Sequence, residues 1–379
     1  MSTFSFVTAG RIVFGTGKVQ ELPSWVGAYG SRPFVITGST PARYQQVIDL
    51  LPAAGVFGVG NEPKIENIRD GVAAAGEYGA DVVVGLGGGA AMDSAKMIAA
   101  LLTNGGDPLD YAEVIGAGKV LSVDALPVIA VPTTSGTGSE VTANGVLTSG
   151  EHGLKVSLRS PTMLPKVALV DPELTLSVPP QVSAFSGLDA LVQCIEPYVS
   201  VKANPITDGL AQIAIQRAAL GLRAAFFDGA DLQARTHMSM VSLLSGMCLA
   251  NAGLGGAHGL AGVIGGATGA PHGAITASVM VAVCEANVAA AKAGRGAADV
   301  VERYAQVGQW LCGEQSAQAG IAWFGETASL LGVPGLAALG VSEDQIPALA
   351  LGATKASSSK GNPVQFSAAE FEAIIAASL

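Results

Sequence analysis

The stretch Asp81–Leu102 constrains the fold of this chain more than any other. An apolar run, Val82–Val84, passes through clustered glycines and continues into a segment with helical spacing. A buried strand that stops at glycines and restarts as a helix lets a phosphate approach the backbone, where the helix start offers free N–H groups. The spacing Gly85-x-Gly87-x-x-Ala90 also satisfies the loose dinucleotide-binding pattern. Because the chain has 50 glycines, a tight strand–helix turn without a ligand is the alternative interpretation.

Strand and helix patterns alternate along the first half of the chain. Short β-prone runs occur at residues 34–37, 56–59, 81–85, 127–131, 141–147, 154–158 and 167–170. Helical spacing fills the stretches between the early runs. This alternation predicts an α/β fold, a Rossmann-like parallel sheet covered on both faces. The alternating residues 4–14 predict a hairpin or edge strands.

The pattern changes at about Val178. Strand patterns stop there, and long Ala- and Leu-rich segments with helical spacing run to the C-terminus, the pair Pro179-Pro180 marking the change. A chain of 379 residues is expected to form two domains. We therefore predict an α/β dinucleotide-binding domain over residues 1–178 and an all-helical domain over residues 179–379.

Charge and composition exclude several classes of protein. The formal net charge is −10, with no basic cluster, which disfavours nucleic acids and anionic membranes as partners. The sequence contains no uninterrupted run of about 18 apolar residues, so we expect no membrane span. We also see no charged leader followed by an apolar run, so we expect no secretory signal. The four cysteines form no C-x-x-C pair and predict buried free thiols in a reducing compartment. We expect a cytoplasmic protein.

A second candidate binding segment follows the strand at 127–131. Pro132–Glu140 has the sequence PTTSGTGSE, rich in hydroxyls and glycines. Such residues at the C-terminal end of a strand suit hydrogen bonding to ribose, adenine or phosphate, because open α/β sheets bind ligands at this edge. A Ser/Thr-rich loop that caps a helix is the alternative interpretation.

The helical half carries a candidate metal site. Asp189 and Gln193 lie four residues apart and would share one face of a helix, with Glu196 next to that face. His258 and His272 each lie among glycines, which let helices or loops crowd a small site. A carboxylate and two imidazoles from separate elements can hold a divalent metal with an open position. Two hydrogen-bonded core histidines are the alternative interpretation.

With these motifs in place, the sequence resembles the iron-containing alcohol dehydrogenase family, which has a dehydroquinate synthase-like fold. The strings that carry the resemblance are FGTGKVQELP, GGGAAMDSAK, PTTSGTGSEVT, KVALVDPEL, NAGLGGAHGLAG, PHG and SKGNP. In this family a GxDAxxHxxE helix gives an Asp and a His ligand, and an HxxxH segment and a PHG turn give two more His. The chain matches this pattern at Asp189, Glu196, His258 and His272. It departs at Gln193 and Gly262, where the family has His.

The resemblance implies the cofactor-binding residues. The family's pyrophosphate loop corresponds to Gly87, Gly88, Gly89 and Asp93, and its loop for adenine and the ribose phosphate to Thr133, Thr134, Thr137 and Ser139. Lys155 stands where a basic residue near the nicotinamide ribose is expected. Gly38 stands where an acidic residue often favours NAD, so repulsion of a 2′-phosphate is lost, and Ser39, Thr40 and Arg43 could accept that phosphate. We expect NAD first and NADP as the alternative.

The resemblance also implies the chemistry. Hydride would pass between nicotinamide C4 and a small alcohol or carbonyl, assisted by Fe²⁺ or Zn²⁺ in the interdomain cleft. Asp189, His258 and His272 would be the catalytic ligands, and Gln193 a fourth, weaker ligand that lowers metal affinity. The alternatives are a metal-independent enzyme like maleylacetate reductase, a lyase like dehydroquinate synthase, and a non-catalytic dinucleotide binder. Pairing of N-terminal edge strands, as in family members, would make a homodimer.

Overall fold

The computed structural model describes residues 3–60, 62–150 and 154–379, and these hold eight strands, fourteen α-helices and several short 3₁₀ turns. The strands are β1 Ile12–Phe14, β2 Pro33–Gly38, β3 Gly55–Val59, β4 Val82–Gly87, β5 Val128–Pro132, β6 Asn144–Ser149, β7 Leu154–Arg159 and β8 Val167–Val170. Helices α1 to α5 are Leu22–Gly27, Gln45–Ile48, Ile65–Tyr78, Gly89–Asn104 and Pro108–Tyr111. Helices α6 to α10 are Pro180–Val199, Pro205–Phe227, Leu232–Ala252, Gly256–Thr268 and His272–Lys292. Helices α11 to α14 are Val300–Cys312, Ala317–Leu330, Ile346–Lys355 and Ala368–Ala377.

Six strands form one parallel sheet in the order β1-β8-β5-β4-β2-β3. Successive side chains of a strand point to opposite faces, so each strand contributes to two cores. Phe34 and Ile36 of β2 pack in one core with Val83 of β4, whereas Val35 and Val84 pack in the other. Every residue of β4 and β5 is buried, which is the pattern of a sheet covered on both faces. The predicted Rossmann-like sheet is therefore confirmed.

The N-terminal prediction is only partly correct. Of residues 4–14, only Ile12–Phe14 forms a strand, and it pairs in parallel with β8 at the sheet edge. Upstream, the backbone of Val7 exchanges two hydrogen bonds with the side chain of Asn251. An amide side chain therefore satisfies the peptide groups that a hairpin partner would have satisfied. The predicted strands at 141–147 and 154–158 form a separate antiparallel pair, β6 and β7.

Contacts divide the chain into two units. The sheet unit is Thr8–Thr175, and the helical unit is Leu176–Leu379 together with residues 3–7. The first unit ends three residues before the predicted boundary at 178/179, and the second includes a segment from the N-terminus that the prediction assigned to the first domain. In the helical unit α6 is the most buried element, since all residues from Gly187 to Val199 are buried. Helices α7, α8 and α10 pack against it.

Helix α10 has the length and composition of a membrane span, but it lies in the core. Of its most apolar window, 61% is buried inside the molecule. Helices α8 and α9 satisfy the same criterion only when they are joined across a bend of 99°. Both features are those of core helices in a helical unit rich in Ala and Val. The N-terminal residue of α10, His272, is one of the candidate metal ligands.

Candidate functional site

The turn between β4 and α4 requires glycine at its first position. Gly87 ends β4 with a φ of 156°, and an added Cβ would lie 2.7 Å from the Cβ of Ala91. Gly88 precedes α4, and no side chain caps the helix. The start of α4 therefore keeps its N–H groups and partial positive charge available for an anion.

The structure brings the two predicted cofactor loops together at this helix start. The N–H of Thr133 donates to the carbonyl oxygen of Gly87 at 2.9 Å. A Cβ on Gly88 would lie 3.3 Å from Thr134 Oγ1, and a Cβ on Gly89 would lie 2.7 Å from Thr137 Cγ2. Without side chains, the glycines let these hydroxyls lie against the backbone. The result is a cradle of N–H and O–H donors that suits the pyrophosphate of a dinucleotide.

Two predicted cofactor residues, Asp93 and Ser139, bind each other. Ser139 Oγ donates to Asp93 Oδ1, and Asp93 Oδ2 accepts from the N–H of Val146 at 2.9 Å. The fully buried Lys96 Nζ lies 3.1 Å from Asp93 Oδ1, and it donates to Thr142 Oγ1 and to the Ser139 carbonyl, both at 3.0 Å. Burial lowers the pKa of Lys96, and Asp93 opposes that effect. This cluster ties α4 to the loop Pro132–Glu140, which we call the hydroxyl loop. Direct contact of Asp93 and Ser139 with a cofactor stays a prediction.

Gly38 lies at the end of β2 in a place with space for a larger residue. A Cβ there would meet no atom within 4 Å. The exposed Ser39 and Thr40 follow it, and Tyr44 Oη lies 2.8 Å from Thr133 Oγ1. These residues place hydroxyls between the end of β2 and the hydroxyl loop, as binding of an adenosine ribose or its phosphate would need.

Lys155 lies on β7, which pairs with β6. Its Nζ forms an ion pair with Glu62, which follows β3, and the Lys155 side chain is 20% exposed. The structure thus gives Lys155 a partner within the sheet unit. Its predicted role near a nicotinamide ribose stays a prediction.

The three predicted metal ligands meet in the helical unit. Asp189 from α6, His258 from α9 and His272 from α10 each offer one ligand atom, and these atoms lie within 4.8 Å of one another. Asp189 Oδ1 is 3.6 Å from His258 Nε2 and 3.9 Å from His272 Nε2. His258 Nε2 is buried and has no hydrogen-bond partner among the described residues. A buried nitrogen lone pair without a donor, beside a carboxylate and a second imidazole, fits a divalent cation.

Glu196 sets the tautomer of His258. Its Oε2 lies 2.7 Å from His258 Nδ1, and its carboxylate also accepts the N–H groups of Gly255 and Ala257. With the proton on Nδ1, Nε2 presents its lone pair toward Asp189. Burial lowers the pKa of His258, but the charges of Glu196 and Asp189 raise it by more, so the pKa lies above its usual value.

The side-chain amide of Gln193 does not have the orientation that the prediction of a metal ligand requires. Its Nε2 donates to Asp189 Oδ2 at 2.6 Å, and its Oε1 accepts from Ser245 Oγ at 3.0 Å. Asp189 Oδ1 accepts a further bond from Thr276 Oγ1 at 2.8 Å. In this arrangement the amide oxygen that was to bind metal faces Ser245, and the amide nitrogen faces the carboxylate.

Sequence reasoning missed two of these supporting residues. Thr276 lies four residues after His272 on α10, so helical spacing could have indicated that both face Asp189. Ser245 gave no such signal, because it lies on α8, 52 residues from its partner Gln193. Hydrogen-bond partners on separate helices have no pattern along the chain.

The glycines near the histidines allow close packing, as expected. A Cβ on Gly273 would lie 2.3 Å from the carbonyl oxygen of Phe185 on α6. A Cβ on Gly255 would lie 2.8 Å from Glu196 Oε1. Gly262 is the exception, because a Cβ there would meet no atom within 4 Å. The position that holds the family's additional His is therefore open space in this chain.

Comparisons with known proteins give the family of the chain. A family model described as iron-containing alcohol dehydrogenase matches residues 9–172, and the model for the C-terminal part of that family matches residues 183–379. Alcohol dehydrogenase 4 of Saccharomyces cerevisiae is 36% identical over 314 residues, which cover 83% of this chain and 80% of the yeast protein.

Solved structures show the same fold over the whole chain. A 1,3-propanediol oxidoreductase superposes with a TM-score of 0.91 at 30% identity, covering 100% of both chains. The sulfoacetaldehyde reductase of Bifidobacterium kashiwanohense, solved in complex with NAD⁺, gives a TM-score of 0.89 at 27% identity and covers 100% of this chain and 99% of that one. Family models match both halves of the sequence, and this chain belongs to the iron-containing alcohol dehydrogenase family, an oxidoreductase that acts on alcohols.

Proposed function

We propose that this chain interconverts a small alcohol and its carbonyl compound with NAD(P), assisted by a divalent metal held by Asp189, His258 and His272. The observation that carries the proposal is the convergence of three ligand atoms within 4.8 Å around the buried, unpartnered Nε2 of His258. One carboxylate and two imidazoles suit Fe²⁺ or Zn²⁺. When bound, such an ion acts as a Lewis acid toward the substrate oxygen.

The chain's own residues prepare the site. Glu196 holds His258 in the tautomer whose Nε2 can donate a lone pair, and Thr276 holds Asp189 Oδ1 in place. The side chain of His272 is 43% exposed, so this edge of the site is open to solvent. Because position 262 is glycine, an imidazole proton carrier is absent there, and we propose that water takes the hydroxyl proton.

An assay with a panel of substrates tests this function. Purified protein is stripped with chelator and assayed at 340 nm with alcohols and aldehydes, NAD(H) and NADP(H), with and without Fe²⁺, Zn²⁺ and Mn²⁺. We expect turnover that depends on added metal. Full activity in the presence of chelator would instead support a metal-independent reductase like maleylacetate reductase, and no nicotinamide turnover with any substrate would overturn the dehydrogenase function.

Cofactor preference is proposed to be NAD over NADP by a narrow margin. A Cβ at Gly38 would meet no atom within 4 Å, so the first side-chain atom of an aspartate fits there. Gly38→Asp should bind the adenosine ribose hydroxyls and repel a 2′-phosphate, so we expect kcat/KM with NADP to fall at least tenfold while that with NAD holds or rises. Gly38→Asn, which lacks the charge, is the matched control. Equal loss with both cofactors would show that residue 38 does not face the ribose.

We also propose a homodimer in the cytoplasm. Strand β1 lies at the end of the sheet order, with β8 on one side, so its other edge offers unpaired backbone groups to a second copy. The free and buried Cys194, Cys248 and Cys284 fit a reducing compartment. Sedimentation equilibrium of the purified enzyme tests the dimer, and a monomer at micromolar concentration would contradict it.

A further inference from the structure

Helix α7 presents an uncharged face to solvent along its whole length. Ile206, Ile213, Leu220 and Phe227 are between 43% and 66% exposed. They recur every seven residues, so they lie on one face of the helix, and we call these four residues the α7 stripe. The other exposed positions of the described helix, Pro205–Phe227, are proline, glycine and glutamine. A helix whose outer face meets only water normally carries charged residues on that face.

The charged residues of α7 all contact neighbouring helices instead. Asp208 accepts from Arg303 of α11 at 2.6 Å, Arg217 lies 3.3 Å from His237 of α8, and Arg223 donates to Thr327 of α12 at 2.6 Å. The helix therefore uses its charges within the helical unit and leaves apolar side chains outside. An exposed apolar stripe that runs the length of a helix is typical of an interaction surface.

The even spacing makes the α7 stripe complementary to itself. Two copies of α7 can run antiparallel about a two-fold axis that passes between residues 216 and 217. In that register Ile206 lies opposite Phe227 of the second copy, and Ile213 lies opposite Leu220, so every member of the stripe meets an apolar partner. A seven-residue repeat also lets two helices cross at about 20° and wrap around each other, which keeps the two stripes in contact.

The charges beyond the two ends of α7 favour the antiparallel direction. The exposed Lys202 precedes the helix, and the exposed Asp228 follows it. Antiparallel copies place Lys202 beside the end of the second helix that carries Asp228, and the two helix macrodipoles also attract each other. Parallel copies would instead bring the two lysines together at one end and the two aspartates together at the other.

The area of the α7 stripe indicates how strong the contact can be. The 23 residues of α7 span about 34 Å, and a helix face about 10 Å wide then offers on the order of 340 Å² per copy. A standard protein–protein interface buries about 800 Å² on each partner. Because the α7 contact is smaller than this, we expect an association that depends on protein concentration.

We propose that the α7 stripe binds the α7 stripe of a second copy of this chain, antiparallel about a two-fold axis. This contact is separate from the β1 edge. It pairs monomers if the β1 edge forms no dimer, and it joins dimers if the β1 edge does. It involves neither the metal ligands nor the cofactor loops, so its failure and the failure of the dehydrogenase function are distinguishable.

Sedimentation velocity of the purified full chain tests the association. We expect the weight-average mass of wild type to rise at least twofold between about 1 µM and about 100 µM. Leu220→Glu should keep its low-concentration mass, because its carboxylate would face Ile213 of the second copy without a partner. Leu351→Glu on α13 also replaces an exposed leucine, and this matched control should behave as wild type. Equal masses of wild type and Leu220→Glu at the higher concentration, or the same loss of mass in Leu351→Glu, would overturn the proposal.

Crosslinking tests the direction and register of the pair. In a Cys312→Ser background the remaining native cysteines are buried, so a short thiol crosslinker reports on an introduced cysteine. We expect Gln216→Cys to be linked to a second copy of itself beside the axis. Ile206→Cys should be linked only when it is mixed with Phe227→Cys, because the two copies of residue 206 lie about 30 Å apart.

Two crosslinking results would contradict the proposed register. Ile206→Cys linked to itself would show a parallel pair, and Gln216→Cys that is not linked would show that the two-fold axis does not pass there; either result overturns the proposal. If Leu220→Glu does not fold, the crosslinks of Gln216→Cys and of the mixed Ile206→Cys and Phe227→Cys proteins give the same decision.

Discussion

His258 shows how one residue depends on a neighbour from another helix. Glu196 lies on α6 and reaches across to His258 Nδ1 at 2.7 Å, and it also accepts two N–H groups at the start of α9. One carboxylate therefore orients the imidazole and fixes the helix that carries it. Such partners of a metal-binding histidine hold its ring and tautomer in place.

Replacing Glu196 should weaken metal binding. In Glu196→Gln the amide has one acceptor oxygen for three donors, and its NH₂ group opposes either a backbone N–H or His258 Nδ1–H. We expect Zn²⁺ affinity to fall about 10–100-fold, measured by competition with a chromogenic chelator. The control is Glu326→Gln on α12, whose side chain is exposed. Unchanged affinity in Glu196→Gln would contradict the role assigned to this carboxylate.

Glu140 should make the stability of the chain depend on pH. It is 1% exposed, and its carboxyl oxygens accept no hydrogen bond from any other described residue. Burial raises its pKa from 4.5 to about 7, despite opposing effects of its own backbone N–H and of Lys96. The folded chain then binds this proton more tightly than the unfolded chain. The free energy of unfolding should therefore fall as pH rises from about 4.5 to 7 and then level off.

Glu140→Gln should remove this dependence. The variant keeps the shape of the side chain without its charge, so we expect it to be more stable than wild type at pH 8 by on the order of 3 kcal/mol. At pH 4.5 the two proteins should be nearly equal. Urea unfolding across this range measures the difference, with the exposed Glu66→Gln on α3 as control. A constant difference at all pH values would mean that Glu140 does not titrate here.

At the level of single residues, the sequence was a better guide to which side chains lie close together than to how those side chains are oriented. Asp189, His258 and His272 were identifiable because their spacing and glycine flanks resemble a known pattern. The amide orientation of Gln193 was not, since it is set by Ser245 on α8 and by the charge of Asp189. Helical spacing alone indicates a face, not a hydrogen-bond direction.

At the level of elements, a glycine decides how closely α10 approaches α6. Gly273 follows His272, and its hydrogen faces the carbonyl of Phe185, from which a Cβ would be 2.3 Å away. The neighbouring atom is backbone and cannot rotate aside. A larger residue must therefore move the start of α10, and His272 with it, away from Asp189.

Gly273→Ala should lower both stability and metal affinity. We expect a loss of about 1–3 kcal/mol from overpacking and a fall in Zn²⁺ affinity, because one ligand is displaced. Gly209→Ala is the control: it lies inside α7 with no atom within 4 Å of its Cβ, and it should stabilise the chain by about 0.5–1 kcal/mol. Thermal unfolding with and without Zn²⁺ separates the two effects. Wild-type metal binding in Gly273→Ala would show that α10 moves freely at this point.

The elements of the sheet were predictable because burial on both faces forces apolar runs. Strands β4 and β5 consist of such runs, and both lie where the sequence placed them. Strand β1 was less predictable, since its neighbours 4–11 alternate in the same way but form no strand, and the backbone of Val7 bonds to Asn251 instead. Alternation shows that a segment can form a strand, but a strand also needs a partner for its backbone.

At the level of the whole molecule, Zn²⁺ and NAD⁺ should each protect a different unit from unfolding and hydrogen exchange. Zn²⁺ at 100 times its Kd adds about 2.7 kcal/mol to the free energy of unfolding of the unit that binds it. In hydrogen exchange, we expect Zn²⁺ to slow exchange in α6, α9 and α10, and NAD⁺ to slow it at the start of α4 and in residues 132–142. Asp189→Asn should abolish the first effect and leave the second. Zn²⁺ protection centred on the sheet unit would contradict the assignment of the site.

The path of the chain through its two units has a consequence for biosynthesis. Residues 3–7 belong to the helical unit, where Val7 meets the amide of Asn251, while everything from Thr8 to Thr175 belongs to the sheet unit. As the nascent polypeptide leaves the ribosome, residues 3–7 must wait for more than two hundred further residues before Asn251, their docking partner, has been made. The sheet unit can assemble meanwhile, but residues 3–7 can dock only after α8, which carries Asn251, has been made.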